Sequence, residues 1–226
     1  MGIINWLRDK GVTRTLKEFW SRPVTKTWFL VLFWNNRQRK RVLLTADPIR
    51  YGTVDLALSQ IEKEQIPGSF AEGGVFQGAM SKFIHARAPE RILFLFDTFQ
   101  GFDSRDSNTH LDDRFRNTSE EFVRHTIGDT QNIVFRKGFF PETARGLEDE
   151  VFAFVMIDFD KYEPTKAALE FFYPRTNRGG FIFIHDYSNP ESDWACSKVL
   201  DKFLSDKPEK PILIPDAWGS ALFRKM

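Results

Sequence analysis

Short apolar runs recur along this chain, separated by stretches in which apolar positions follow a helical period. The runs rich in aromatic and β-branched residues are Phe70–Val75, Ile92–Phe96, Ile133–Arg136, Phe152–Ile157, Phe181–Ile184, Ile212–Ile214 and Ser220–Phe223. Consecutive apolar positions without strict alternation predict strands buried on both faces, as in a parallel sheet. Between them, helical spacing covers about 78–87, 117–128, 163–173 and 192–205. Upstream, Val54, Leu56, Ala57, Leu58 and Ile61 share one face of a helix predicted over Thr53–Gln65, which Ile66-Pro67-Gly68 ends. Alternating strands and helices predict an α/β, doubly wound domain. Only Pro215-Asp216-Ala217-Trp218-Gly219 joins the last two runs, too short for a crossover, so they should pair as an antiparallel hairpin. Residues 101–116, rich in Asp, Ser, Asn and Arg, predict a long surface loop of a length that serves as a lid or substrate contact.

Composition narrows the picture. A chain of 226 residues suffices for one sizeable core, and 42% apolar with 28% charged residues is a globular balance. A net charge of +1 gives no pull toward nucleic acid, and no such partner is expected. The charge is uneven, however: residues 1–50 hold 11 Lys and Arg against 3 Asp and Glu, and the other 176 hold 21 against 28. This divides the chain into a basic, helical N-terminal extension over 1–50 and a domain over 51–226. The extension, broken at Pro23 and Pro48 and carrying Trp6, Trp20, Trp28 and Trp34, is expected to make a homo-oligomer or substrate contact. Its longest apolar stretch, Thr27–Trp34, falls short of the ~20 residues of a transmembrane segment. With Cys196 as the single cysteine, no disulfide forms within the chain, which points to the reducing, cytoplasmic compartment. Cys196 is expected to pack in a helix.

Two strand ends carry the candidate chemistry. One predicted strand runs into Asp158-Phe159-Asp160, the next into His185-Asp186. Ligands of open α/β sheets bind at the carboxyl ends of the strands, so these acids and the imidazole should converge there. Such a cluster suits a divalent metal or a base over a substrate. Asp160 has a second reading, as the cap of the helix opening near Glu163-Pro164-Thr165. The first strand runs into Glu72-Gly73-Gly74-Val75-Phe76-Gln77-Gly78, a turn whose backbone lets a ligand come close. It lacks the dinucleotide pattern G-x-G-x-x-G. Asp97 ends the following strand, placed to bind ribose hydroxyls. Together Glu72, Gly74, Gly78 and Asp97 point to an adenosine-bearing cofactor without a pyrophosphate. His85, His110 and His125 are expected at the surface, and His110, in the long loop, could touch substrate. Two other functions stay open: a metal-dependent D-x-D glycosyltransferase, which leaves the glycine turn with Asp97 unexplained, and a non-catalytic cofactor-binding protein.

A run of motifs in order carries a resemblance: Ile66 to Gly78, Phe96-Asp97-Thr98-Phe99-Gln100-Gly101-Phe102, Gly138-Phe139-Phe140-Pro141-Glu142-Thr143, Asp158 to Thr165, Phe171-Phe172-Tyr173-Pro174, Gly179-Gly180, His185-Asp186-Tyr187 and Gly219-Ser220-Ala221. Over about residues 50–226 the chain resembles the S-adenosylmethionine-dependent class I methyltransferases of the macrocin O-methyltransferase (TylF-like) family, which methylate sugar hydroxyls. The resemblance implies a Rossmann-like fold with a seven-stranded, mostly parallel sheet and a C-terminal antiparallel hairpin. It implies S-adenosyl-L-methionine as cofactor, with Glu72, Gly74 and Gly78 along its methionine part and Asp97, beside Thr98, at its ribose. It implies a small-molecule or glycan hydroxyl as acceptor, with Asp158 or His185 as base. In the family an acid opening D-x-D and an Asp-Asp pair hold magnesium. Asp158 and Asp186 match two of these ligands, and His185 replaces the third. Magnesium prefers oxygen ligands, so an Asp158, His185 and Asp186 site would better suit a softer divalent metal such as manganese, iron or zinc; the alternative is a site without metal, with His185 as the base.

Overall fold

The computed structural model describes residues 45–106 and 114–226, together with Val42. Most of the extension expected over 1–50 therefore lies outside the described residues, as does His110. A compact unit runs from Asp47 to Met226. It opens with α1 (Pro48–Lys63), whose cap is Asp47: its Oδ1 accepts from the amides of Ile49 and Arg50 at 3.2 and 3.1 Å. Pro48, expected to break a helix, starts one, because the first helical position needs no N–H and favours the fixed φ of proline. Val54, Ala57, Leu58 and Ile61 face inward as their spacing predicts, whereas Leu56 points to solvent.

The strands are β1 (Ser69–Gly73), β2 (Leu93–Asp97), β3 (Ile133–Lys137), β4 (Phe152–Ile157), β5 (Thr176–Ile184), β6 (Ile212–Ile214) and β7 (Ser220–Arg224). They form one seven-stranded sheet in the order β3-β2-β1-β4-β5-β7-β6. The first five pair in parallel, and β7 runs antiparallel to both β5 and β6. Helices α2 (Ala79–Arg87), α3 (Glu120–Ile127), α4 (Tyr162–Phe172) and α5 (Ala195–Leu204) lie between strands in sequence. All six side chains of β4 are buried, as befits the strand at the centre. Phe152, Phe96 and Phe140 pack around Phe172 with ring centroids 5.0, 5.6 and 5.7 Å from it, so the phenylalanine abundance builds core. β5 starts well before the predicted Phe181, because it passes through Gly179 and Gly180, which interrupt the apolar run. A Cβ on Gly180 would lie 2.7 Å from the Ala153 carbonyl oxygen of β4.

The winding reverses between β1 and β4, the switch at which α/β sheets open a crevice. There β1 stops at Gly73, short of the predicted Val75. Gly74, at φ +82°, turns the chain while its amide donates to the Phe96 carbonyl at 2.9 Å. A Cβ on Gly74 would stand 1.9 Å from the carbonyl oxygen of Asp158. Gly74→Ala should therefore cost more than about 1 kcal/mol of stability, read as a lower urea midpoint; a wild-type midpoint would contradict the close approach.

Candidate active site

A cleft of about 330 Å³ opens at this switch, within the range of small-molecule pockets. Gly74, Asp97, Thr98, Asp158, His185 and Asp186 all line it. Glu72 and Gly78 are not among the residues that line it. Glu72 is buried and accepts a hydrogen bond from the Ser81 hydroxyl. Burial pushes its pKa up to about 8, opposed by Ser81 and reinforced by the charges of Asp158 and Asp97. Gly78 begins α2 at φ +79°, and a Cβ there would meet Val123 Cγ1 at 2.8 Å, so its lack of a side chain serves helix packing.

At one end of the cleft, the glycine turn grips the acid that ends β2. Asp97 Oδ2 accepts from the amides of Val75 and Phe76 at 2.6 and 3.1 Å, and Oδ1 accepts from Phe99 N at 2.6 Å. Thr98 turns its hydroxyl to the Gly101 carbonyl. Phe76, Phe139, Phe140 and Phe159 supply apolar walls.

At the other end, parallel pairing of β4 and β5 brings their acidic termini together: His185 N donates to the Ile157 carbonyl at 2.9 Å. His185 Nδ1 lies 2.8 Å from Asp158 Oδ1, and its Nε2 lies 2.7 Å from Arg50 Nη1. A guanidinium only donates. Nε2 is therefore the acceptor, and the ring proton sits on Nδ1, donated to Asp158. Asp186 Oδ1 is 3.1 Å from the same Nδ1, buried, and without a hydrogen bond of its own. Burial lowers the pKa of His185, but the charges of Asp158 and Asp186 prevail over it and over Arg50 and raise it. Even so, a second proton has to displace Arg50 from the only lone pair left on the ring.

Asp160 does not cap α4. Held at φ +59°, it turns its carboxyl to Asp186, and burial, that hydrogen bond and the nearby charges keep its pKa well above the usual range. Asp160 thus faces Asp186 rather than the start of α4. His85, expected at the surface, is buried on the face of α2 turned inward, while His125 is exposed. Cys196 packs in α5 as expected, and burial pushes its thiol pKa upward.

Arg50 and Trp218 also line the cleft and were not singled out in the sequence. The pair Asp47-Pro48, an N-cap residue followed by proline at the first helical position, is the signal that would have placed Arg50 in a first helical turn. Asp47 does more than cap. Its Oδ2 accepts from Ala217 N at 3.0 Å, which pins the turn carrying Trp218 against the start of α1.

The model of the macrocin-O-methyltransferase (TylF) family matches residues 48–225. The chain belongs to this family. Among its relatives is the 8-demethyl-8-(2,3-dimethoxy-alpha-L-rhamnosyl)-tetracenomycin-C 4'-O-methyltransferase of Streptomyces olivaceus, 29% identical over 158 residues, with 62% of this chain and 60% of the relative covered. Another is the mycinamicin III 3''-O-methyltransferase of Micromonospora griseorubida, 26% identical over 162 residues, with 62% of each covered. The matches thus span about three-fifths of the length of these relatives. The O-methyltransferase NovP shares the fold, with a TM-score of 0.65 at 21% identity over 79% of this chain and 80% of its own. Membership of the TylF family removes the glycosyltransferase reading of the D-x-D motif.

Glu72 allows a test of this family member independent of any reaction. Its folded pKa of about 8 exceeds the ordinary 4.5, so the folded state binds the extra proton. Stability should fall as pH rises from about 4.5 to 8 and then level off. Glu72→Gln should flatten that fall in urea midpoints taken across the same range; an unaltered slope would contradict the protonated Glu72.

Proposed function

We propose that this chain is an S-adenosylmethionine-dependent O-methyltransferase whose acceptor is a sugar hydroxyl on a natural product or glycan. One observation carries the reading: a clamped strand-end acid, Asp97, and an acid–imidazole pair, Asp158–His185, face each other across one cleft. Family membership and the sugar named in the Streptomyces olivaceus relative support the class of reaction and acceptor. The residues suit the cofactor. Three backbone amides fix the Asp97 carboxylate and leave Oδ1 one lone pair for a ribose hydroxyl, and the phenylalanine walls suit an adenine. When bound, that cofactor supplies a methyl group on a sulfonium.

The residues of the chain then have three tasks. The cleft must align the acceptor oxygen with the S–CH₃ bond, where positioning contributes much of the acceleration. Asp158, with Oδ1 held by His185, offers its other oxygen to the acceptor O–H as general base, a contribution of about 10²–10⁴-fold. The acceptor proton would pass to Asp158, and a bound cofactor would supply the methyl carbon to the freed oxygen pair, its C–S bonding pair remaining with sulfur. Trp218 at the rim gives an apolar face for a sugar ring.

A divalent metal at Asp158, His185 and Asp186 meets one favourable ligand and one unfavourable one. The three ligand atoms lie within 4.8 Å of one another, and the unpartnered Asp186 Oδ1 would welcome a cation. The ring would not: Nδ1 carries a proton, Nε2 is taken by Arg50, and a guanidinium so near repels a dication. The donor set does not fit, and the reaction runs on Asp158 and His185. A lone buried thiol suits the cytoplasm, and no helix among the described residues is long and apolar enough to cross a membrane.

Asp158→Ala should lower transfer to a rhamnosylated polyketide by about 10²-fold or more, while calorimetric affinity for S-adenosylhomocysteine stays near wild type. Asp97→Ala should instead weaken that affinity by about tenfold, the loss of a charged hydrogen bond. Wild-type turnover in Asp158→Ala rejects the base, and wild-type protein that fails to bind S-adenosylhomocysteine rejects the cofactor.

A further inference from the structure

Resting on that reading, we infer that Arg50 is the resident cation of the acceptor site and acts there in place of a divalent metal, with His185 as the link that couples it to Asp158. The link is continuous: guanidinium to Nε2 at 2.7 Å, then Nδ1–H to Asp158 Oδ1 at 2.8 Å. His185 occupies the position where the family resemblance expects a metal-binding carboxylate. That replacement alone would leave a weakened metal site. Combined with Arg50 it removes one negative charge, supplies one fixed positive charge and fills both ring nitrogens.

The placement of Arg50 itself argues for a task. It sits in the first turn of α1, where the helix dipole disfavours a cation and the offsetting carboxylate is that of the cap, Asp47. Asp47 and His185 hold it there, and its buried Nε has no hydrogen-bond partner among the described residues. A guanidinium that faces the cleft from an unfavourable helical position, with a donor in hand, is placed for charge that develops on a ligand. Arg50 is thus a positioning residue: it fixes the tautomer of His185 and through it the orientation of Asp158.

Three measurements on the full chain test this, two of them independent of transfer. Manganese electron paramagnetic resonance should show no bound ion in wild type at millimolar manganese. His185→Asp combined with Arg50→Gln should gain a bound-manganese signal. Imidazole ¹⁵N resonances should place the His185 proton on Nδ1 in wild type and in Arg50→Lys, and should show a mixture of tautomers in Arg50→Gln. Transfer to the rhamnosylated polyketide should survive chelation, and Arg50→Gln should lower kcat by roughly 10²-fold with S-adenosylhomocysteine affinity unchanged. A bound-manganese signal in wild type that Asp158→Asn abolishes overturns the inference, as does Arg50→Gln with wild-type kcat and a single Nδ1–H tautomer. Should no acceptor be methylated at all, the proposed function fails, while the resonance experiments still decide the role of Arg50.

Discussion

Asp158 N donates to the Gly73 carbonyl at 2.7 Å, and one residue on, the bare Cα of Gly74 passes so close to the Asp158 carbonyl that no side chain fits between them. That crossing is where the ends of β1 and β4 meet at the reversal of the winding. It decides how far the glycine turn stands from the acid. The turn grips Asp97 through two amides, and the acid holds His185, so both ends of the cleft are referenced to one backbone contact. Few other places in a parallel sheet allow so short a path between a ligand-binding turn and a reactive carboxylate.

The acidic end of the cleft raises a problem of charge. Three carboxyl groups and an imidazole crowd two adjacent strand ends, largely out of water. Burial makes an unpaired charge there costly. The chain meets the cost with partners: the raised pKa of Asp160 goes with its turn toward Asp186, His185 gives its proton toward Asp158, and Arg50 approaches from another element. Burial of Glu72 likewise pushes its pKa up, to about 8, so the carboxyl behind the glycine turn adds less charge to this end of the cleft.

Much of this was legible in the sequence. Strands β1 to β4 announce themselves as dense apolar runs, and the five-residue link before β7 forces the hairpin. The convergence of Asp97, Asp158, His185 and Asp186 follows from strand ends alone. Other features have a weak local signal or none. Glu72 and Gly78 belong to the right turn, yet strand pleat and helix packing send them away from the cleft. Proline carries opposite meanings inside a helix and at its first position, and Pro48 was read as the former. Arg50 meets His185 across 135 residues of sequence, a pairing that only the folded chain reveals. The inward turn of His85 depends likewise on which face of α2 packs.

The two oxygens of Asp47 serve different elements: one caps α1, the other holds the turn between β6 and β7. The rim that carries Trp218 and the helix that carries Arg50 therefore share a single anchor. Remodelling residues 215–219 to admit a different ligand would shift the guanidinium too, so selectivity and reactivity are inherited together in this chain. A variant with a new turn would need a compensating change at Asp47 before it could choose one without disturbing the other.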